Sequence, residues 1–400
     1  MQSIISQAVF ILKSRLKHCT KLEDTDPVIR FFYLTRNILG LLLVISPLAG
    51  FLCIDYSLFL SPEFLCGLAV GVPLALRCYN LLPFRLWTGL YVLLCCGGFF
   101  LCVSEENSLP ALAGALLAGL GYGGLALILP ANLIVSWFRF SKTLLLGLVW
   151  SGAFAFGLLW KILLERITYP ALLSAGALML LGVLFFLERP PRFLLQNGSQ
   201  PSPASGRRLS RFRSRSARKV FFYTLIISFA LSFGLFLAQY GLQAEWLPAV
   251  TPAGSVFWFG GLLIGPLLAG LFINQKGVYS GCVLLIFLTE VTIMCFGFEN
   301  GAPLFLRIGY TAVGAALGML PVLLPILAYY LYGPAEFSER LAQVLLAVPA
   351  GLAAVPLLTF VRFLDPLTVN YLTFAAMFLL MISFFIIFSA WKHRFVLLKY

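Results

Sequence analysis

The interval Glu188–Lys219 reads ERPPRFLLQNGSQPSPASGRRLSRFRSRSARK and is the one long polar stretch in the middle of a very apolar chain. It contains four prolines, a Ser/Gly-rich run, nine Arg or Lys residues and a single acid. Such a composition cannot bury enough apolar surface to offset the entropy of ordering, so it predicts a mobile linker over 188–219. The 187 residues before it and the 181 after it are dominated by long apolar runs. Two hydrophobic halves of nearly equal length joined by a basic segment are the organising feature of the chain.

Hydrophobic residues make up 61% of the sequence and charged residues 11%. A soluble domain carries roughly 25% charged residues, so a water-soluble fold is excluded. The net charge of +13 is placed in the gaps between apolar runs, which argues against nucleic acid as a partner. The nine cysteines include no CxxC pair, and the two histidines, His18 and His393, stand near the ends. That pattern predicts no metal site, no disulfide framework and no cofactor. At the N-terminus, Ile4, Ile5, Val9, Phe10 and Leu12 precede the cluster Lys13, Arg15, Lys17, the reverse of a secretory signal. Residues 1–32 are read instead as a cytoplasmic segment, either an amphipathic helix on the membrane face or a disordered tail.

A spanning helix needs about 20 apolar residues, and twelve segments meet that test, six in 33–187 and six in 220–390, with a tail over 391–400. With an even number of spans, one face receives both termini, the linker and alternate loops. Of the 28 Lys and Arg residues, only Lys161, Arg166, Arg307 and Arg362 fall on the other face. The positive-inside rule therefore makes the termini and linker cytoplasmic, in a multi-pass protein of the cell (inner or plasma) membrane. The basic linker is then a topogenic anchor near anionic lipid. Asn197-Gly-Ser199 matches a glycosylation sequon, but a cytoplasmic linker does not meet that machinery.

The halves repeat. GLGYGGLALILPANLIVSWFRFSK (119–142) and VGAALGMLPVLLPILAYYLYGPAEFSER (313–340) are both Gly/Ala-rich runs with a proline near one end, then aromatic residues, then Phe-Ser and a base. Pro130 and Pro325 are 195 residues apart. A second pairing sets GVPLALR (71–77) against GLFINQK (270–276), with Gly71 and Gly270 separated by 199.

On these features residues 33–390 resemble the major facilitator superfamily. The resemblance implies an all-α polytopic fold of about twelve transmembrane helices in two six-helix bundles, with a long central cytoplasmic loop. The family's loop signature, Gly-x-x-x-Asp-Arg-x-Gly-Arg-Arg, is matched in part by Gly270, Asn274, Lys276 and Gly277, with Asn274 in place of the acid and Gln275 in place of the base. In the first half only Gly71 is retained. The runs 320–338 and 119–138 look most like the monocarboxylate-transporter branch. The acidic-glycine signature of that branch's first span is absent, as is the charged pair of its eighth.

The resemblance implies that spans 1, 4, 7 and 10 line a central cavity. Their polar residues are the candidate solute contacts: Asn37, Ser46, Tyr122, Ser228, Ser232, Gln239, Tyr240, Arg307, Tyr310 and Thr311. The alternative is that the hydroxyls bond their own helices and the tyrosines sit at the interface belt. Arg307 either attracts an anion or snorkels to headgroups, and snorkelling is favoured. Glu290 lies deep in LIFLTEVTIMC (285–295), where a carboxylate costs about 2.5–3.5 kcal/mol to insert and so faces a cavity or a partner. It is the proton-coupling candidate. Gly147, Gly152 and Gly157 with Ser151 suit close helix packing, and Pro349, Gly351 and Pro356 a bent eleventh span.

The expected function is secondary or facilitative transport of a small polar or anionic metabolite by alternating access, by a monomer and not an enzyme. The rivals are a transporter-like sensor that binds without translocating, and a polytopic transferase, which needs a polar cluster at one face that the short external loops do not supply.

Overall fold

The computed structural model describes residues 27–54, 61–104, 109–138, 142–166, 168–188, 206–243, 252–297, 303–354 and 366–397. Within them the chain is almost wholly helical. In hydrocarbon each backbone N–H and C=O must be satisfied inside its own segment, and long apolar runs do this only as helices. The first half holds α1 (Pro27–Ile54), α2 (Pro62–Leu81), α3 (Phe84–Ser104), α4 (Leu109–Trp137), α5 (Lys142–Arg166) and α6 (168–186). The second holds α7 (Gly206–Gln243), α8 (Pro252–Lys276), α9 (Val278–Gly297), α10 (303–332), α11 (334–352) and α12 (Pro366–Leu397). Ten of these are long and apolar enough to cross a membrane. The sixth and eleventh places are taken by the shorter apolar helices Leu173–Phe186 and Arg340–Leu352, the latter leading toward residues outside those described. The fold is thus an all-α polytopic bundle pair of the major-facilitator type.

Local sequence sets several boundaries. Pro62 opens α2, and the Phe64 amide donates to the Ser61 hydroxyl at 3.3 Å. In α4 a π-helical turn covers Gly123–Ile128, and the Leu129 amide reaches back to the Gly124 carbonyl, just before Pro130, which has no amide to give. Between α10 and α11 the chain turns at Gly333 (φ 74°, ψ 175°), a region open only to glycine, ahead of Pro334. A Cβ at Gly333 would meet nothing within 4 Å, so the strain of Gly333→Ala is purely conformational. We expect that variant to lose about 1–3 kcal/mol, read as a lower melting temperature of the purified protein.

Two expected boundaries move. The α7 helix begins at Gly206 rather than near residue 220, because RRLSRFRSRSARK carries no internal glycine or proline and is rich in Arg, a good helix former. Only 189–205 of the expected linker, with the sequon, lies outside the described residues, as do residues 1–26 and the expectation made for them. At the other end α12 continues to Leu397, through most of the segment read as a tail. Glu188 belongs to the first half. Its carboxylate accepts from Arg36 Nη1 at 2.8 Å, its carbonyl accepts from Trp137 Nε1 at 2.9 Å, and its amide donates to Asn37 Oδ1 at 3.3 Å. These bonds tie α1, α4 and the end of α6 together on the face where the linker leaves, called here the basic face.

Each half is built on a helix pair that glycine lets approach to backbone contact. In the first, Gly67 and Gly71 of α2 meet Gly119 and Gly123 of α4. A Cβ at Gly67 would lie 2.1 Å from the Leu116 carbonyl oxygen, and one at Gly119 would lie 2.2 Å from that of Phe64. In the second, Gly261 and Gly265 of α8 meet Gly314 and Gly318 of α10, with the same closeness to Thr311, Ala315 and Trp258 carbonyls. Small-xxx-small patterns of this kind replace the hydrophobic drive that lipid removes. They also correct the repeat. Gly71 packs within its own half, whereas Gly270 packs across the halves, beside Thr143, Leu144 and Gly147 of α5. The two are therefore not equivalent positions. Gly71 corresponds to Gly265, 194 residues on, and the place of Gly270 is taken in the first half by the buried Ala75, 195 residues earlier.

Candidate functional site

Where the halves meet, α2, α4, α5, α7, α8, α10 and α11 surround a cavity of about 130 Å³ lined by sixteen of the described residues. Among the described residues the wall is Leu, Phe, Trp, Val and Pro with one tyrosine, Tyr122, and contains no Asp, Glu, Lys, Arg or His. Trp150 and Phe154 come from α5, about 12 Å and more along the helix from Lys142 at a rise of 1.5 Å per residue. Their rings are tilted against each other at 5.7 Å. Tyr122, from the turn before the π-helical segment, sets its ring edge-on to Phe64 of α2 at 5.7 Å. Trp258 and Leu262 come from α8, Leu317 and Pro321 from α10, Leu345 and Val348 from α11.

Beside this cavity and on toward the basic face, α5 packs against α8 across the halves. The Ser151 hydroxyl donates to the Leu263 carbonyl at 2.6 Å. One turn nearer that face Gly147 sits against Pro266 and Gly270, so close that a Cβ on Gly147 would lie 2.6 Å from the Pro266 carbonyl oxygen. At the start of α5 the Lys142 ammonium lies 3.6 Å from the centroid of the Tyr329 ring of α10. The small residues of the fifth span divide their work. Gly152 and Gly157 face Leu42 and Gly50 of α1 within the first half, and Gly147 serves the contact between halves.

The residues singled out from sequence scatter. Among the candidates with described side chains, only Tyr122 is on the cavity wall. Asn37 donates to the Tyr33 carbonyl at 2.9 Å and receives the Glu188 amide at the basic face. Tyr310 sets its ring edge-on to Phe296 of α9 at 5.1 Å, and the Thr311 hydroxyl donates to the Arg307 carbonyl one turn back. Arg307 is exposed, with its guanidinium 5.4 Å from the Phe257 ring centroid of α8. Gln239 and Tyr240 are on α7, with side chains outside the described set. Ser228 and Ser232 are buried on α7, and Ser232 donates to Ser228 and Gly351 carbonyls. Glu290 is half-buried on α9, between exposed Phe287 and Met294 and the buried pair Thr289 and Ile293, and is not on the cavity wall. Of the loop motif, Gly71 and Gly270 are buried in helix contacts, while Asn274, Lys276 and Gly277 are exposed and Gly277 turns the chain out of α8 at φ 86°.

Among the described residues no group of three metal-ligating side chains converges. The wall residues of α2, α5, α8 and α11 were missed because the search was for polar side chains on other spans. One signal was available: Trp150 stands in mid-run, away from the interface where Trp is usually found.

No protein-family model matches the chain, and no curated protein matches it in sequence. Solved structures do match in shape. The crystal structure of the human organic anion transporter MFSD10 (TETRAN) aligns over 88% of this chain and 98% of its own, at 15% identity and a TM-score of 0.65. The proton:xylose symporter XylE, bound to 6-bromo-6-deoxy-D-glucose, aligns over 90% and 95%, at 14% identity and a TM-score of 0.60. The E. coli fucose:proton symporter FucP aligns over 92% and 98%, at 15% identity and a TM-score of 0.57. All are major facilitator structures or share that architecture, and the likeness establishes the fold.

Proposed function

We propose that the chain is a transporter that carries a small solute across a membrane by alternating access, with the cavity between its halves as the solute site. The observation that carries this is the division of contacts. Each half is held internally by backbone-close glycine pairs, while the halves meet beside the cavity through α5 against α8, around Gly147, Ser151 and Gly270, and through α2 against the α10–α11 segment. Two bundles each packed on its own glycine pairs can rock about a site between them. The similar structures of an organic anion transporter and two sugar symporters support the reading.

In this reading the basic face is cytoplasmic, the membrane is the cell's inner or plasma membrane, and the chain acts as a monomer and not as an enzyme. The positive-inside asymmetry supports that orientation, and the arginine-rich start of α7 lies where anionic headgroups would hold it. The pattern in 320–338 favours the monocarboxylate-transporter branch over others. A coupling role for Glu290 would act from outside the cavity wall, and Glu290→Gln tests it as loss of the pH dependence of uptake.

The direct test is counterflow in proteoliposomes. Vesicles preloaded with one unlabelled compound at a time, from panels of organic acids, amino acids, sugars, nucleosides and lipophilic compounds, are given the labelled form outside. Saturable accumulation above protein-free vesicles is expected for one class. Binding with no exchange for any class would sink the transport reading in favour of a sensor.

A further inference from the structure

Resting on the reading of the two halves as bodies that rock about a site between them, we propose that Lys142 and Tyr329 form a cation–π latch across the halves at the basic face. The latch biases the resting protein toward the state in which that face is held together. Lys142 is the first residue of α5, in the first half, and Tyr329 lies near the end of α10, in the second. The ammonium stands 3.6 Å from the ring centroid, well inside the roughly 6 Å over which a ring face attracts a cation. Beside it, Thr143 and Leu144 meet Gly270 of α8, so the contact lies in the seam between the halves. When the halves part on this face, α5 leaves α10 and the ammonium leaves the ring. A contact made in one state and lost in the other shifts the balance between them.

The ring that receives the cation is held in place. Tyr329 is half-buried and meets the buried Phe337 of α11 edge-on, with centroids 5.8 Å apart and planes at 70°. Lys142, for its part, stands where its own helix does not favour it. At the first position of α5 it meets the positive end of the helix dipole, which disfavours a cation, and the electron-rich ring face offsets that cost. The corresponding base of the second half does not cross. Arg340, which follows Phe-Ser in 313–340 as Lys142 does in 119–142, has its guanidinium 5.9 Å from the ring of Tyr332, in its own half. Arg307 over Phe257 likewise joins α10 and α8 of one half. Among the described residues, the cation–π contact that joins the halves is Lys142 on Tyr329. An ammonium that leaves the ring is rehydrated, so a half-buried contact of this kind shifts a two-state balance only about fivefold. That is enough to set a resting state and too little to prevent opening.

The separation of the halves at the basic face tests this, measured by double electron–electron resonance on the full chain in nanodiscs. Spin labels are carried on p-acetylphenylalanine in place of Arg77 and Lys276, which leaves the nine cysteines untouched. Both positions are exposed and lie toward the basic-face ends of α2 and α8, one in each half. A short and a long separation are expected. Y329L and K142M each raise the long-to-short ratio about fivefold, and the double variant raises it no further than either alone. Y329F and K142R keep the original ratio, since a ring face and a cation remain. An unchanged ratio in Y329L or K142M overturns the proposal. So does a K142M effect that persists in the Y329L background, because Lys142 then acts on another group. A Y329F effect as large as that of Y329L overturns it too, by assigning the contact to the hydroxyl. If Y329L fails to fold, K142M against K142R decides.

Failure of the latch and failure of the transport reading remain separable. Two separations whose ratio ignores these substitutions remove the latch and leave the rocking bodies standing. One separation in every variant removes the rocking bodies, and the latch with them. The expected shifts in ratio without counterflow of any compound class leave the latch in place in a protein that switches without carrying, which is the sensor reading.

Discussion

Gly67→Ala and Gly265→Ala are each expected to remove most of the folded protein, whereas Gly89→Ala and Gly260→Ala are expected to leave it intact. The four substitutions add the same methyl group to the same kind of helix. At Gly67 that methyl would lie 2.1 Å from the Leu116 carbonyl oxygen, and at Gly265 it would lie 2.2 Å from that of Ala315. Both obstacles are backbone, which has no rotamer to change, so α2 must part from α4, or α8 from α10. Overpacking in a protein core costs about 1–3 kcal/mol even where side chains can adjust. In lipid a parted pair also forfeits the dispersion contacts that hold spans together, with no hydrophobic drive to restore them. At Gly89 and Gly260 a Cβ would meet nothing within 4 Å, and alanine is the better helix former by about 1 kcal/mol. Detergent-extracted yield and melting temperature of the four variants, compared by fluorescence-detected size exclusion, check this. A Gly67→Ala protein as abundant and as heat-resistant as Gly89→Ala would mean that α2 and α4 do not pack backbone to backbone at Gly67.

These glycine pairs also explain what was legible in the sequence. Bilayer thickness fixes span length, so apolar runs alone gave the six-plus-six division, and the loop signature with the Pro130–Pro325 spacing pointed to the family fold. The register of the repeat was less legible. A loop signature aligned on Gly71 and Gly270 put two glycines with different neighbours in one column. The packing pairs 67/71 with 261/265 and 119/123 with 314/318 lie at separations of 194 or 195, in step with the prolines. Small residues facing small residues carry the register because they are the only ones that admit backbone contact.

The site was hardly legible at all, and for a physical reason. A search for polar residues in spans finds groups that would be costly if unpaired, and most such groups turn out to be paired locally. Asn37 is held by Tyr33 and Glu188, Thr311 by the Arg307 carbonyl, Ser232 by Ser228 and Gly351. The described cavity wall is written in the same leucines and phenylalanines that face lipid, and composition cannot tell the two surfaces apart. An aromatic residue in mid-span such as Trp150, away from the interface where Trp is usually found, is the one sign of it in the sequence.

The largest functional effect is expected from Gly147→Leu, with transport falling about 5- to 150-fold while the protein stays folded. Gly147 sits in the contact of α5 with α8, where a Cβ would lie 2.6 Å from the Pro266 carbonyl oxygen and 3.3 Å from Gly270 Cα. Unlike Gly67, it faces the other half of the molecule, so bulk there obstructs an approach between bundles and leaves each bundle's own packing alone. A penalty of about 1–3 kcal/mol paid only when the basic face is closed shifts the two-state balance by a factor of about 5 to 150 toward the state open on that face. A carrier held in one state cannot complete its cycle, however well it binds. Two measurements separate this from simple damage. Melting temperature should change little. A reporter cysteine on the cavity wall, Leu68→Cys, should react more slowly with a membrane-impermeant maleimide added from the face opposite the basic one. Loss of transport with unchanged maleimide reactivity would assign Gly147 to the solute path, and a large fall in melting temperature would make the α5–α8 contact part of the fixed fold instead of the element that moves.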